Sequence, residues 1–153
     1  MDNPISEVLA VKGDEVVTIG PEATVAAAVH LMNEKNIGAV VVLEGESVVG
    51  IFTERDVLRR VIDGGMNAET TALREVMTKQ LVFVRPSTTV EEALVIIKAK
   101  NCRHLPVMDE ERLIGMLSLR DLTNWIVDGH EHRIAELVEY ITGNYGAQPH
   151  LSY

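Results

Sequence analysis

The chain contains an internal repeat, and this feature constrains its fold more than any other. Pro21 lies 65 residues before Pro86, and the same shift matches residues 17–64 to residues 82–129 without a gap. An open solenoid generally needs three or more repeats to bury its core, whereas two copies can pack against each other. The repeat therefore predicts two similar units related by a pseudo-twofold axis.

Each copy predicts the element order β-α-β-β-α. Apolar residues at helical spacing form a first helix in each copy, and a second helix follows Thr53 or Ser118. Glycine after an amphipathic run favours a helix end, so the second helices are expected to end at Gly64 and Gly129. The strands are predicted at residues 15–19, 39–43 and 48–52 in the first copy and at residues 81–85, 105–108 and 113–117 in the second.

These units give a domain plan for the whole chain. The predicted fold class is α/β (α+β), with copies at residues 5–65 and 71–130 that each begin with a short lead-in helix and together form one module. Residues 131–143 have an amphipathic pattern and predict a C-terminal helix, whereas residues 144–153 are expected to form a flexible tail. The apolar stripe of that helix fits either its own module or a second subunit.

The composition excludes several classes of protein. At 153 residues, 46% of them hydrophobic, the chain suits one compact domain. It has no run near the roughly 18 apolar residues of a membrane span, and its first residues lack a secretion-signal pattern. The single cysteine, Cys102, fits a reducing compartment, so the expected location is the cytoplasm. A formal net charge of −9 disfavours nucleic acid as a partner.

The strongest candidate for chemistry is a motif that occurs at residues 50–56 and again at residues 115–121, with glycine, hydroxyl, arginine and aspartate at matched positions. Each motif leads from a strand into a helix, where free N–H groups suit a phosphate and an aspartate can accept hydrogen bonds from a ribose diol. A hydroxyl followed three positions later by an acid is also an ordinary helix cap, which needs no ligand. The residues themselves leave both interpretations open.

A second candidate lies at residues 101–107 and its counterpart at residues 36–42. The first copy has small or apolar residues around Gly38, against which a flat base could lie, whereas the second copy offers Arg103 and His104, which could reach a phosphate. This asymmetry predicts that the two segments form the two ends of one site.

An enzymatic role is disfavoured. Cys102 and His104 could pair as nucleophile and base, but no third group is placed to orient them. The chain has no glycine-rich phosphate loop, no Gly-x-Ser-x-Gly elbow and no histidine pair with metal-ligand spacing. The sequence therefore predicts neither catalysis nor a bound metal.

The repeated Gly-x-x-Thr/Ser-x-Arg-Asp motif and the Arg-His-Leu-Pro-Val segment at residues 103–107 resemble the CBS-domain family. Over about residues 5–129 the chain is similar to a stand-alone tandem pair, or Bateman module, of the kind found in small bacterial signal-transduction proteins. The resemblance implies that the repeats pack sheet to sheet and leave clefts for an adenosyl ligand. AMP is the first expectation, with ADP, ATP, NAD or S-adenosylmethionine as alternatives. It also implies a homodimer that acts on an unknown target.

The resemblance assigns roles by position. It implies that Asp56 and Asp121 bind the ribose hydroxyls and that the adenine lies against Ile37, Gly38 and Ala39. The residues implied to bind phosphate are Thr53, Ser118, Arg55, Arg103, His104 and Arg120, and Cys102 is also counted among the nucleotide-binding residues. Family members often carry proline and a polar residue where the first copy has Val41 and Gly38, so the clefts are expected to be unequal, the one at Asp121 being the better. The alternative function is a ligand-independent dimerisation module, and an enzyme acting on a nucleotide comes third.

Overall fold

A computed structural model describes residues 2–145, and it contains the two expected copies. The first copy is preceded by helix α1 (Ile5–Lys12) and contains β1 (Thr18–Ile19), α2 (Val25–Lys35), β2 (Ala39–Glu44), β3 (Ser47–Thr53) and α3 (Glu54–Asp56), which continues as a π-helix at Val57–Ile62. The sheet order is β1-β2-β3, with β1 parallel and β3 antiparallel to β2. The fold is therefore the mixed helix-and-sheet class that the repeat predicts.

The second copy repeats this plan with a smaller sheet. It contains α4 (Leu73–Val76), α5 (Val90–Lys100), β4 (His104–Asp109), β5 (Arg112–Ser118) and α6 (Leu119–Tyr145), and β4 pairs antiparallel with β5. The strand expected at residues 81–85 is reduced to a single parallel pair between Val84 and Val107. In the first copy, likewise, only Thr18–Ile19 of residues 15–19 forms a strand. The strand predictions at the outer edge of each sheet were therefore too long.

Helix α6 corrects the prediction for the end of the module. It runs through Gly129 and Gly143 to Tyr145, so the expected helix end at Gly129 is wrong, and the predicted C-terminal helix is present as the continuation of α6. A glycine inside a helix costs only about 1 kcal/mol relative to alanine, which the surrounding residues of a long helix can offset. Neither α6 nor any other helix within residues 2–145 is long and apolar enough to cross a membrane. The predicted tail at residues 144–153 falls outside the described residues, apart from the last two residues of α6.

Each lead-in helix packs on the other copy, which the repeat alone does not reveal. The Ile5 N–H donates to the Thr88 carbonyl over 2.7 Å in the second copy, and the Leu73 N–H donates to the Ala23 carbonyl over 2.9 Å in the first. Two hydrophobic cores result. One core joins α1 to the second copy through Ile5, Val8, Leu9, Val90, Leu105, Leu117 and Leu122. The other joins α4 to the first copy through Val25, Val40, Phe52, Val61, Leu73, Val76 and Met77.

The glycine of each repeated motif makes this exchange possible. A Cβ added at Gly50 would lie 2.7 Å from Met77 Sδ and 2.9 Å from the Thr78 carbonyl oxygen. A Cβ added at Gly115 would lie 2.7 Å from a methyl group of Leu9. Contacts as short as these leave no room for a side chain at either position. Glycine therefore allows α1 and the segment that follows α4 to pack closely on the strands.

Turns and caps also repeat with small differences. Asn36 and Asn101 end α2 and α5 in the left-handed region, with φ angles of 53° and 50°. The hairpin turns place Gly45 and Glu110 at matched positions with φ angles of 65° and 57°. Asparagine tolerates this region better than most residues, but glutamate is strained there. The second hairpin therefore carries a cost that the first avoids.

Candidate functional site

A large open cleft, with a volume of about 2250 Å³, is lined by residues of both copies. This volume exceeds the roughly 300–1,000 Å³ of ordinary small-molecule pockets. All twelve residues that the sequence analysis selected line this cleft: Ile37, Gly38, Ala39, Thr53, Arg55, Asp56, Cys102, Arg103, His104, Ser118, Arg120 and Asp121. The fold thus brings segments far apart in sequence to one place.

The charge of the cleft is opposite to that of the chain. The cationic side chains in its lining are Lys12, Lys35, Arg55, Arg59, Lys100, Arg103 and Arg120. The carboxylates in its lining are Glu15, Glu54, Asp56 and Asp121. Cations therefore exceed carboxylates in the cleft, although the formal net charge of the chain is −9. Such a local excess of positive charge attracts an anionic ligand.

In the first copy, the motif forms a closed helix cap. The Thr53 N–H donates to Asp56 Oδ2 over 3.0 Å, and the Asp56 N–H donates to Thr53 Oγ1 over 3.3 Å. The Thr78 hydroxyl lies 3.0 and 3.2 Å from the two Asp56 oxygens, and Arg60 Nε lies 3.4 Å from Oδ1. Both oxygens of Asp56 are therefore occupied, and the side chain is only 7% exposed. The capping interpretation describes this copy.

In the second copy, the same cap is open on one side. The Ser118 N–H donates to Asp121 Oδ2 over 2.7 Å, and the Asp121 N–H donates to Ser118 Oγ over 3.1 Å. The ammonium group of Lys12, at the end of α1, donates to the same Oδ2 over 2.6 Å and also to the Met116 carbonyl. Asp121 Oδ1 accepts no hydrogen bond within residues 2–145, and the side chain is 22% exposed. This oxygen is therefore available to a ligand.

The Asp121 carboxylate stays ionised because of these contacts. Burial by itself would raise its pKa, but the hydrogen bonds from Lys12 and from the Ser118 backbone outweigh burial and lower the pKa below the ordinary value of an aspartate. A charged acceptor makes stronger hydrogen bonds to hydroxyl donors than a neutral one does.

The two motif arginines differ in the same way as the aspartates. Arg55 Nη1 donates to the carbonyl of Asn101 in the other copy over 2.5 Å. The guanidinium groups of Arg120 and Arg103 are exposed and have no hydrogen-bond or ion-pair partner in the described part of the chain. These two cations can therefore turn toward an anion without breaking an existing contact.

His104 faces the first copy across the cleft. A Cβ added at Gly38 would lie 2.5 Å from Glu54 Oε1 and 3.3 Å from His104 Nε2, so glycine leaves room where the copies meet. Burial lowers the pKa of His104 more than the carboxylates of Glu54 and Asp121 raise it. The imidazole is therefore neutral at pH 7 and can both donate and accept a hydrogen bond.

Cys102 is not set up as a nucleophile. Burial raises the pKa of its thiol, and the nearby Arg55 offsets only part of that effect, so the unreactive thiol form is favoured. Within the described residues, no group of three or more His, Cys, Asp or Glu side chains could hold a metal ion.

Among the cleft residues that the sequence analysis did not select, Lys12 and Glu54 lie nearest the candidate groups, since Lys12 contacts Asp121 and Glu54 lies beside Gly38 and His104. Lys12 was not considered because the lead-in helices align at a shift of 68 residues, Ile5 with Leu73, instead of 65. Glu54 has an apolar counterpart, Leu119, and so does not belong to the repeated pattern. A search for self-similarity with gaps would have aligned Lys12 with Gln80 and drawn attention to the difference.

Comparison with known proteins gives two stretches of family similarity. Residues 5–63 and 73–128 each match the model of the CBS domain. A mitochondrial CBS domain-containing protein of Arabidopsis thaliana is 36% identical over 127 residues, which cover 80% of this chain. The match covers 62% of that relative, so the chain spans less than two thirds of its length.

Solved structures give the same result for the fold. The structure of a CBS-domain protein from Burkholderia ambifaria matches with a TM-score of 0.80 and 32% identity, covering 82% of this chain and 95% of the other. A CBS domain pair solved in complex with 5′-methylthioadenosine and S-adenosyl-L-methionine matches with a TM-score of 0.74. At 16% identity, this second match concerns the fold alone. The chain belongs to the CBS-domain family and contains a tandem pair of these domains, a regulatory module.

Proposed function

We propose that this module senses an adenine nucleotide, AMP in the first place, bound in the cleft between its two copies. The observation that carries the proposal is the excess of cationic side chains in the cleft of a chain whose formal net charge is −9. A fold neighbour holds two adenosyl compounds, which supports an adenosyl ligand here as well. ADP, ATP, NAD and S-adenosylmethionine remain alternative ligands.

The ribose is proposed to bind at Asp121. Its Oδ1 is free to accept a ribose hydroxyl, whereas both oxygens of Asp56 are already occupied by Thr53, Thr78 and Arg60. The ligand is therefore placed at the second-copy motif first. Asp56 acts mainly as a cap in this proposal.

The phosphate is proposed to bind where helix α6 begins. Arg120 and Arg103 are exposed at this end of the cleft, and Ser118 provides a hydroxyl beside the first free N–H groups of the helix. The positive end of the helix dipole adds to their attraction for an anion. Neutral His104 can donate one more hydrogen bond from the same side.

The adenine is proposed to lie against the start of β2. Ile37 and Gly38 are half-buried there and Ala39 is buried, so a flat base would meet backbone and small side chains. Cys102 also lines the cleft. Thr53 and Arg55 would contact a second ligand at the first-copy motif, if the large cleft holds two.

Calorimetric titration of AMP into the protein tests this arrangement. Arg120→Gln should weaken binding at least about tenfold, because a hydrogen bond to a charged group contributes roughly 1.5–3 kcal/mol. Arg112→Gln is the matched control, since Arg112 is also exposed but lies outside the cleft, and it should change the affinity less than about twofold. A wild-type protein that binds none of AMP, ADP, ATP, NAD and S-adenosylmethionine would overturn the proposal.

A ligand-independent dimerisation module is the second candidate, and a specific surface favours it. Leu58 and Ile62 lie one turn apart on the π-helix and are 64% and 67% exposed, and Val127, which matches Ile62 in the second copy, is 53% exposed. Single exposed apolar residues are common, but Leu58 and Ile62 are neighbours on one helix, and contiguous exposed apolar surface is typical of a site that another subunit covers. We therefore propose a homodimer through these helices.

Sedimentation analysis tests the dimer. The double variant Leu58→Asp and Ile62→Asp should shift the protein from dimer to monomer, because unpaired charges at an apolar interface are costly. Val95→Asp, at an equally exposed position on α5, is the control and should leave the dimer intact. A wild-type protein that sediments as a monomer contradicts this second proposal and leaves the nucleotide proposal standing.

A further inference from the structure

Lys12 reaches the cleft from an unexpected direction. It is the last residue of α1, which precedes the first copy in sequence but packs on the second. Its ammonium nitrogen lies 2.6 Å from Asp121 Oδ2 and also donates to the Met116 carbonyl of β5. These two contacts fix the charged end of a long side chain beside the free Asp121 oxygen.

The hydrogen-bond inventory of this pair is incomplete on both sides. An ammonium group has three N–H donors, of which Lys12 uses two within the described residues. Asp121 uses Oδ2 and leaves Oδ1 open. A free donor and a free acceptor therefore lie side by side. Such a pair can bind a hydroxyl group, because a hydroxyl both donates and accepts a hydrogen bond.

We infer that Lys12 is a specificity residue for the ribose diol of the bound nucleotide. Asp121 Oδ1 accepts a hydrogen bond from one ribose hydroxyl while the third N–H of Lys12 donates to the oxygen of a hydroxyl of the same diol. This inference rests on the proposed function, because it places the ribose at Asp121. It adds that the lead-in helix of one copy completes the ribose site of the other.

Gln80, the residue equivalent to Lys12, shows that the two motifs differ in this contact, and it supplies a control. Gln80 lies 68 residues after Lys12, lines the same cleft, and is exposed. It makes no hydrogen bond to Asp56 among the described residues, because Thr78 and Arg60 already occupy that carboxylate. The donor-acceptor pair is therefore a feature of the second motif alone.

Calorimetric titrations with AMP and with 2′,3′-dideoxy-AMP test the inference, since the second ligand keeps the base and phosphate but lacks both ribose hydroxyls. Lys12→Met should weaken AMP binding at least about tenfold and weaken dideoxy-AMP binding much less, because the second ligand loses only the general attraction of the Lys12 charge. Lys12→Arg, which keeps a charged donor, should recover part of the AMP affinity. Gln80→Met should change neither affinity, and the thermal unfolding midpoint checks that every variant folds.

The outcomes separate this inference from the proposed function. If the wild-type protein binds neither nucleotide, both fail. If it binds AMP but Lys12→Met weakens both ligands by the same factor, Lys12 contributes general charge or structure, and only the inference is overturned. An AMP affinity that does not change in Lys12→Met overturns it as well.

Discussion

Asp56 and Asp121 occupy the same position in the two copies, yet one carboxylate is enclosed by the protein and the other is open on one side. The enclosing groups of Asp56 come from Thr78 and Arg60, and the one extra partner of Asp121 is Lys12. The repeated motif therefore specifies a cap in both copies. The segment that packs beside the motif, together with the helix residue four positions after the aspartate (Arg60 or Trp125), decides whether the carboxylate is enclosed or open.

The difference begins in the lead-in helices. Helix α4 ends at Val76, so that Thr78 follows in extended form and exchanges two hydrogen bonds with Ile51 of β3. Helix α1 continues to Lys12, and Ala10, which aligns with Thr78, lies inside the helix and has no hydroxyl. A longer helix thus replaces a strand-like segment. It leaves the second motif open and brings a lysine to it.

The largest effect is expected from filling the space that these segments occupy. Gly50→Ala should lower the free energy of unfolding by about 3 kcal/mol, because the new methyl group meets the backbone carbonyl of Thr78, which cannot move without losing its pairing. Gly115→Ala should cost about 1 kcal/mol, because the flexible end of the Leu9 side chain can shift. Urea unfolding of both variants measures the difference. Equal losses would show that the two contacts are equally rigid.

A second pair of variants separates stability from binding. Asp56→Ala should lower the free energy of unfolding by about 2 kcal/mol, because it removes a helix cap and leaves buried partners without an acceptor. Asp121→Ala should cost about 1 kcal/mol of stability and should abolish the thermal stabilisation by AMP. Thermal scans with and without AMP test both. If AMP stabilises Asp121→Ala as much as the wild-type protein, the ribose does not bind at this carboxylate.

Much of the fold follows from the sequence because the repeat reports the same pattern twice. Strands β2 to β5 and helices α2 and α5 are confirmed, and the hydroxyl, arginine and aspartate residues of the two motifs line one cleft. The alternation of apolar residues and the paired glycines and asparagines carry this information locally. These local features can be interpreted without knowing how distant segments of the chain pack together.

The features that the sequence does not predict depend on long-range packing. The exchange of α1 and α4 between copies depends on which apolar surface each short helix meets, and both surfaces consist of buried hydrophobic side chains. Helix α6 continues through Gly129 because a single glycine is a weak signal against a long helix. The π-helix at Val57–Ile62 has no sequence signal that we can identify. The role of Lys12 follows from the exchange and was missed with it.

The cleft should also make stability depend on pH through His104, whose counterpart in the first copy is Ala39. Because burial lowers the pKa of His104 in the folded protein, the unfolded chain binds more protons once the pH falls below about 6.5. This contribution to stability is complete above that pH and is lost as the pH falls through the folded value. Asp121, whose pKa is lowered from an already acidic value, contributes no slope in this range.

Urea unfolding between pH 7.5 and 5 measures this slope, which should correspond to less than one proton. His104→Ala gives both copies the same residue and should make the slope smaller. If the variant and the wild-type protein have the same slope, another group is responsible and burial does not hold His104 neutral.

The smallest expected effect concerns the hairpin turns. Gly45 and Glu110 have φ angles of 65° and 57°, and a residue with a side chain costs roughly 1–2 kcal/mol in this region, whereas glycine does not. Glycine is also more flexible in the unfolded chain, which offsets about 0.5–1 kcal/mol of that gain. Glu110→Gly should therefore raise the free energy of unfolding by about 0.5 kcal/mol, and Gly45→Glu should lower it by a similar amount. Urea unfolding of both variants measures these changes, and Glu111→Gly, at an exposed neighbouring position, is the control for loss of charge. If Glu110→Gly is neutral or destabilising, the account is wrong, because the two turns then differ in something other than backbone strain.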